Sequence, residues 1–143
     1  MFPKTALGPA HAGSSALEQL ALADFIAGGF LERYLRRARR RHAERLEVLL
    51  EALGRELGPR ARVHGEASGL HVLLALEELP ARKARVFREA CRTRGVGVYS
   101  ANPAYLDPPA HAELLMGYGG LDPPAIRKGV RRIRRALDAV RRR

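Results

Sequence analysis

The sequence predicts a two-layer α/β (α+β) domain, in which a small mixed or antiparallel sheet of about four strands is covered by helices mainly on one face. Two observations support this class. Long segments carry apolar residues at helical spacing, and short apolar runs between glycines and prolines are typical of strands. The chain has 143 residues, 46% of them hydrophobic, which is enough for one domain with its own core.

The first half of the chain is predicted to be helical. Ser15 stands three residues before Glu18, the spacing of a capping box, which predicts a helix over residues 16–27. Two glycines at 28 and 29 end that helix. Apolar residues at steps of three and four then predict a long helix to about Leu57. The apolar face of this helix is formed by Leu31, Leu35, Ala38, His42, Leu46, Leu49 and Leu53.

The second half alternates between strands and helices. A short strand over 62–64 and a buried strand over 71–76 are expected to pair as a hairpin. A helix over 80–94 and strands over 96–99 and 114–118 follow. Asp122 and Pro123 are typical of a helix start, and the last helix carries one apolar stripe that should face the core. The stripe consists of Ile126, Val130, Ile133, Leu137 and Val140.

The charge of the chain favours contact with polyanions. Lys and Arg number 26 against 15 Asp and Glu, a formal charge of +11. Only Asp138 relieves the basic residues within the last helix, so this helix either meets phosphate or an acidic lipid surface, or is simply solvated. A general preference for arginine would also produce part of the surplus. The candidate basic surface is Arg127, Lys128, Arg131, Arg134 and Arg135.

Several kinds of site have little support in the sequence. The five histidines have no paired spacing on a helix face, so no metal site is expected, and the single Cys91 is expected to be a buried apolar residue. The glycines after residue 116 lack the spacing of a dinucleotide-binding turn. No apolar run reaches the ~20 residues of a membrane span. We therefore expect a cytoplasmic protein without membrane contact.

A series of segments resembles, in order and at similar spacing, the aminotransferase-like portion of MocR-type regulators of the GntR family. The resemblance extends over about residues 15–139. It implies the C-terminal small domain of a fold-type I, pyridoxal-phosphate-dependent aminotransferase. The segments that carry it are Leu17–Phe25, Leu31–Arg41, Gly69–Leu74, Arg94–Tyr99, Tyr105–Pro109 and Leu114–Leu121.

The resemblance also implies what this chain lacks. In the family, a preceding large domain holds most of the pyridoxal phosphate site, and a winged helix-turn-helix binds DNA. Residues 1–14 are expected to be a flexible segment in which Lys4 is either a remnant of the cofactor lysine or a chance N-terminal residue. The chain alone is then not expected to hold the cofactor or to catalyse transamination.

Two hypotheses on function follow. By resemblance, the chain is a truncated or fragmentary part of a regulator that senses a ligand through pyridoxal phosphate, and its partner is the missing large domain or a second copy. Leu115 then stands where aminotransferases place a carboxylate-binding arginine, while His71, Tyr99 and Tyr105 either line a ligand cleft or serve packing. The alternative is a basic module that binds nucleic acid without sequence preference through the last helix.

Overall fold

The computed structural model describes residues 15–66 and 69–142 of the chain. The chain divides into two compact units, residues 1–40 and 41–143, which are considered separately. The predicted α+β class is confirmed. In chain order the elements are α1 (Ala16–Ala27), α2 (Phe30–Leu57), β1 (Arg62–His64), β2 (His71–Pro80), α3 (Ala84–Arg92), β3 (Tyr99–Ser100), β4 (His111–Gly117) and α4 (Pro123–Arg141), with 3-10 turns at Gly58–Arg60, Ala81–Lys83 and Asn102–Ala104.

The described strands form one antiparallel sheet in the order β1-β2-β4-β3. β1 pairs with β2, which confirms the predicted hairpin. β2 and β4 lie at the centre, and Leu74 is the register partner of Leu114. The two strands with the most apolar sequences are therefore those that have a neighbour on both sides, where a continuous apolar run is expected.

One face of the sheet packs against helices and forms the core of the 41–143 unit. Leu74 and Leu114 from the sheet, Phe87 from α3 and Leu137 from α4 are fully buried in one cluster. Each such side chain contributes about 1.5–3 kcal/mol by leaving water. The predicted stripe of α4 is confirmed, since Ile126, Val130, Ile133, Leu137 and Val140 are all buried.

The ends of several elements differ from the sequence prediction. β2 continues to Pro80 through an irregularity in its pairing after Leu76, and Pro80 is the register partner of His111 at the start of β4. β3 begins at Tyr99 rather than at Val96. The backbone N–H of Val96 donates to the carbonyl of Cys91, so this residue completes the end of α3 and does not join the sheet.

The two helix starts behave differently. The side chain of Asp122 accepts a hydrogen bond from the N–H of Ala125 at 2.8 Å, as expected of a cap. The capping box at Ser15 is wrong, because the Ser15 side chain makes no capping hydrogen bond. Instead its backbone carbonyl accepts from the N–H of Gln19. This helix end is exposed, so water can satisfy its remaining amides.

The unit over residues 1–40 is described from Ser15 onward. No residue of α1 is buried, and Leu17, Leu20 and Phe25 are 75%, 65% and 41% exposed. The rings of Phe25 and Phe30 stack with centroids 5.8 Å apart across the turn between the helices. α1 therefore presents apolar side chains that no described residue covers, an arrangement typical of an interaction surface.

Candidate functional site

The sheet has a second face, turned away from the core of the 41–143 unit. Successive side chains of a strand point to opposite faces, so Leu115 in β4 lies on the face opposite its buried neighbours. Its register partners are Leu73 in β2 and Tyr99 in β3, while His71 pairs with Gly117. We call the surface formed by His71, Leu73, Tyr99 and Leu115 the open face.

The open face combines apolar area with two polar groups. Tyr99 is 74% exposed and Leu115 is 39% exposed, and His71 is exposed at the end of β2. A leucine cannot supply the planar pair of N–H donors with which arginine holds a carboxylate. This surface can pack against an apolar group and offer a phenol and an imidazole for hydrogen bonding.

A buried carboxylate lies next to the open face. Glu113 is 8% exposed, and it shares the face of Leu115 because the two are separated by one residue in β4. Tyr105 Oη donates a hydrogen bond to Glu113 Oε2, and His111 Nε2 lies 3.2 Å from Glu113 Oε1. The hydrogen bond to the carboxylate, followed by burial and the negative charge, raises the pKa of the Tyr105 phenol.

The side chain of Asn102 forms hydrogen bonds that attach the loop carrying Tyr105 to β4. Its Oδ1 accepts from the backbone N–H of Glu113 at 3.0 Å, and its Nδ2 donates to the carbonyl of His111 at 3.0 Å. The N–H of Ala101 also donates to the carbonyl of Glu113. The start of the segment over residues 101–110 is thus held to β4, into which its other end continues, and Tyr105 is held beside the open face.

Three members of this arrangement, Asn102, His111 and Glu113, were not predicted as site residues from the sequence. A signal was present, since a single carboxylate inside an apolar strand requires a partner. The structure brings His71 and Tyr99 onto the open face and Tyr105 next to it, as a shared cleft wall would require. Their role in binding a ligand remains a prediction.

The described residues do not fit a pyridoxal phosphate site of their own. The cofactor needs a lysine amine in a protected site, and residues 15–66 and 69–142 contain two lysines. Lys83 Nζ donates to the carbonyl of Val140 at 3.4 Å, and Lys128 is exposed on α4, so neither lies on the open face. Lys4 lies outside the described residues, and its interpretation as a remnant stays a prediction.

The predicted basic surface is divided by the fold. Arg134 is paired with Glu56 at 2.8 Å and with Asp138 at 3.1 Å, and Arg127 lies 3.9 Å from Glu51. The expectation that only Asp138 relieves the last helix is therefore wrong, because the acids of α2 are neighbours in space and not in sequence. Among the described ion pairs none involves the rest of the set, which is Lys128, Arg131 and Arg135.

Other candidate chemistry is weak in the described residues. Cys91 is fully buried as predicted, and burial raises the pKa of its thiol to about 12, so it is no nucleophile at neutral pH. No cluster of three or more His, Cys, Asp or Glu side chains within residues 15–66 and 69–142 is placed to hold a metal ion. None of the helices in this part of the chain is long and apolar enough to cross a membrane.

The solved structures that superpose on this chain include aminotransferases. The α-aminoadipate aminotransferase LysN of Thermus thermophilus, solved with N-(5'-phosphopyridoxyl)-L-leucine, superposes with a TM-score of 0.72 and 28% identity over 88% of this chain and 32% of its own. The kynurenine aminotransferase of Pyrococcus horikoshii has the same fold, with a TM-score of 0.69 and 18% identity over 81% of this chain and 28% of its own. The chain therefore has the fold of part of a fold-type I aminotransferase.

Sequence relatives indicate a narrower class of protein than the solved structures do. The HTH-type transcriptional regulator YhdI of Bacillus subtilis is 38% identical over 122 residues, which is 85% of this chain and 26% of that protein. The probable rhizopine catabolism regulatory protein MocR of Rhizobium meliloti is 30% identical over 88% of this chain and 25% of its own length. No family model matches the chain. The chain is a homologue of MocR-type HTH regulators, as its sequence predicted, and it spans about a quarter of their length.

Proposed function

We propose that this chain is the small-domain part of a MocR-type regulator that senses a ligand through pyridoxal phosphate in the cytoplasm. The open face lies toward a ligand site that is built mainly by another domain. Tyr99 and Tyr105 supply its phenols and His71 its imidazole. The chain alone performs no transamination.

The observation that supports this proposal best is the register of the sheet. It places His71, Leu73, Tyr99 and Leu115 on one face, while the described helices of the 41–143 unit pack on the other. Apolar side chains are left exposed at the centre of a sheet only at a cost, unless a partner covers them. The pairing of Tyr105 with the buried Glu113 adds a phenol whose position is fixed before a ligand arrives.

Sensing fits the residues better than catalysis. A transaminase needs a protected lysine and a donor fork for the carboxylate of its substrate. The two described lysines are placed elsewhere, and Leu115 occupies the open face where the family resemblance expects the fork. Binding without turnover requires only that the open face complement a ligand held by the neighbouring domain.

The second contact of the proposed partner domain is α1. Its exposed apolar residues are separate evidence, because they lie on a different unit from the open face. Covering several such side chains removes apolar area from water, which favours association. The partner is then the large domain of the same regulator, and a second copy of this chain is the competing occupant.

Complementation tests the proposal directly. The chain is mixed with the B. subtilis regulator YhdI from which the matching 122 residues have been removed, and the mass of the complex is measured by light scattering after gel filtration. We expect a one-to-one complex that is weakened by Leu17→Gln with Leu20→Gln. Arg37→Gln with Arg39→Gln, on exposed positions of α2, is the control and should leave it intact. A stable dimer of the chain alone, with no complex, would instead support a second copy.

The cofactor is tested on the isolated chain. We expect titration with pyridoxal phosphate to give only slow, non-saturating absorbance changes, equal in the chain and in Lys4→Ala. Saturable, stoichiometric binding that Lys4→Ala abolishes would show that the chain retains its own cofactor site, and the proposed division of labour between domains would be wrong.

A further inference from the structure

The basic residues of α4 form two stripes, one ion-paired with carboxylates of other elements and one without such ion pairs among the described residues. The first stripe, Arg127, Arg134 and Arg141, repeats every seven residues and is held by carboxylates from other elements. Arg141 reaches Glu78 of β2 at 3.2 Å, which completes a network with Arg60. These arginines are structural, because each is paired within the 41–143 unit.

The second stripe has no such partners. It consists of Lys128, Arg131, Arg135 and Arg142, all exposed, and no ion pair is found for any of them among the described residues. With 100° per residue these positions fall within one narrow sector of α4, opposite the buried stripe of Ile126, Val130 and Leu137. We call these four residues the free basic stripe.

The free basic stripe continues toward the end of α3. A surface depression of about 470 Å³ is lined by Thr93, Arg94, Gly95, Arg132 and Arg135. Arg132 and Arg94 donate to the carbonyls of Gly95 and Ala90, which orients both guanidinium groups at the end of the helix. The depression thus brings three arginines together and contains no carboxylate.

We propose that the free basic stripe contacts the phosphate backbone of duplex DNA, which rests on the proposed assignment to a regulator. Four cations spaced along about 21 Å, from Lys128 in α4 to Arg142 just after it, match a linear polyanion. Guanidinium groups are suited to phosphate because they present paired donors. Contacts to phosphate fix the position of a protein on DNA and carry no sequence information themselves, so the proposed contact is independent of base sequence.

A lipid surface is the weaker partner for the same residues. Helices that lie on membranes keep an apolar face free to enter the bilayer. In α4 that face is buried in the core, where Ile133 and Leu137 are at most 1% exposed. The free basic stripe therefore offers charge alone, which suits a phosphate backbone.

Charge-matched variants of the full chain test this assignment. Binding of a dye-labelled 20-base-pair duplex is followed by fluorescence anisotropy from low to moderate salt. We expect Lys128→Gln with Arg131→Gln and Arg135→Gln to weaken binding at least tenfold and to reduce the salt slope by about 2–3, near 0.9 per phosphate contact. Arg37→Gln with Arg39→Gln and Arg40→Gln removes the same charge from α2 and should weaken binding less than about threefold. Replacing Arg131 and Arg135 by lysine keeps the charge but removes the paired donors, so it should leave the salt slope unchanged and weaken binding less than the glutamine variant does.

Two results would overturn the assignment. Equal losses in the two charge-matched triple variants would show that only net charge matters. Binding of the chain to vesicles of phosphatidylserine, with no binding to the duplex under the same salt, would assign the stripe to a lipid surface. Circular dichroism confirms that each variant folds. Neither result bears on the complementation assay, which contains no DNA, so failure of this assignment leaves the proposed function standing.

Discussion

The two faces of the sheet are made from alternate residues of the same strands, yet they differ in how fully their side chains are buried and in polarity. On the helix-covered face Leu114 is fully buried and its neighbours fill the core. On the open face Leu115, the next residue, is 39% exposed, and the buried carboxylate of Glu113 has two polar partners, Tyr105 and His111. The first face explains why the chain folds, and the second has features that folding alone does not require.

The largest expected effect is a difference in stability between substitutions of two consecutive residues, Leu114 and Leu115, which lie on opposite faces of the sheet. Leu114→Ala removes a fully buried side chain and leaves a cavity, which should lower the free energy of unfolding by about 2–5 kcal/mol. Leu115→Ala should lower it by less than about 1 kcal/mol, because the residue is part of the exposed surface. Urea denaturation of both variants measures the difference. Similar losses would mean that the open face is also a packed face.

The role of the Glu113 carboxylate on the open face can be measured through the pKa of its partner, Tyr105. Glu113→Gln removes the carboxylate that accepts from Tyr105, so the raised pKa of this phenol should fall toward about 10. Titration of tyrosine absorbance near 295 nm measures it, with Tyr105→Phe as the control that identifies the signal. An unchanged titration in Glu113→Gln would show that the hydrogen bond does not form in solution.

The same bond predicts the alkaline dependence of stability. A phenol whose folded pKa is raised contributes stability that is fully present below its ordinary pKa of about 10 and is lost as pH rises through the raised value. The wild-type chain should therefore lose more stability above pH 10 than Tyr105→Phe does. Denaturation midpoints at pH 8 and at pH 11 test this, and parallel losses in the two proteins would contradict it.

The smallest effects are expected for the exposed polar groups of the open face. Tyr99→Ala and His71→Ala should each change the free energy of unfolding by no more than about 0.5 kcal/mol, since neither side chain is buried. If these variants form a weaker complex with the shortened regulator while their free energy of unfolding is unchanged, the two residues take part in binding. A large stability loss would instead favour the packing role that the sequence left open.

The sequence predicted the fold better than the site. The range of α1 was predicted although its capping box does not form, and the apolar stripe of α4 was correct because helical periodicity is a local signal. The start of β3 was misplaced because the bond from Val96 to Cys91 depends on how α3 ends. Tyr105 and Asn102 contact Glu113 from a loop, and Glu56 contacts Arg134 from another helix, and no spacing rule brings these residues together.

We propose that the open face contacts the neighbouring domain of the regulator and that the exposed surface of α4 does not. Hydroxyl-radical footprinting of the chain, free and in complex with the shortened YhdI, tests this claim most directly because it reports on individual side chains. We expect protection of Tyr99, Tyr105 and Leu115 in the complex, with no change at Leu137, which is buried throughout. Protection confined to residues of α3 and α4, with the open face as reactive as in the free chain, would contradict it.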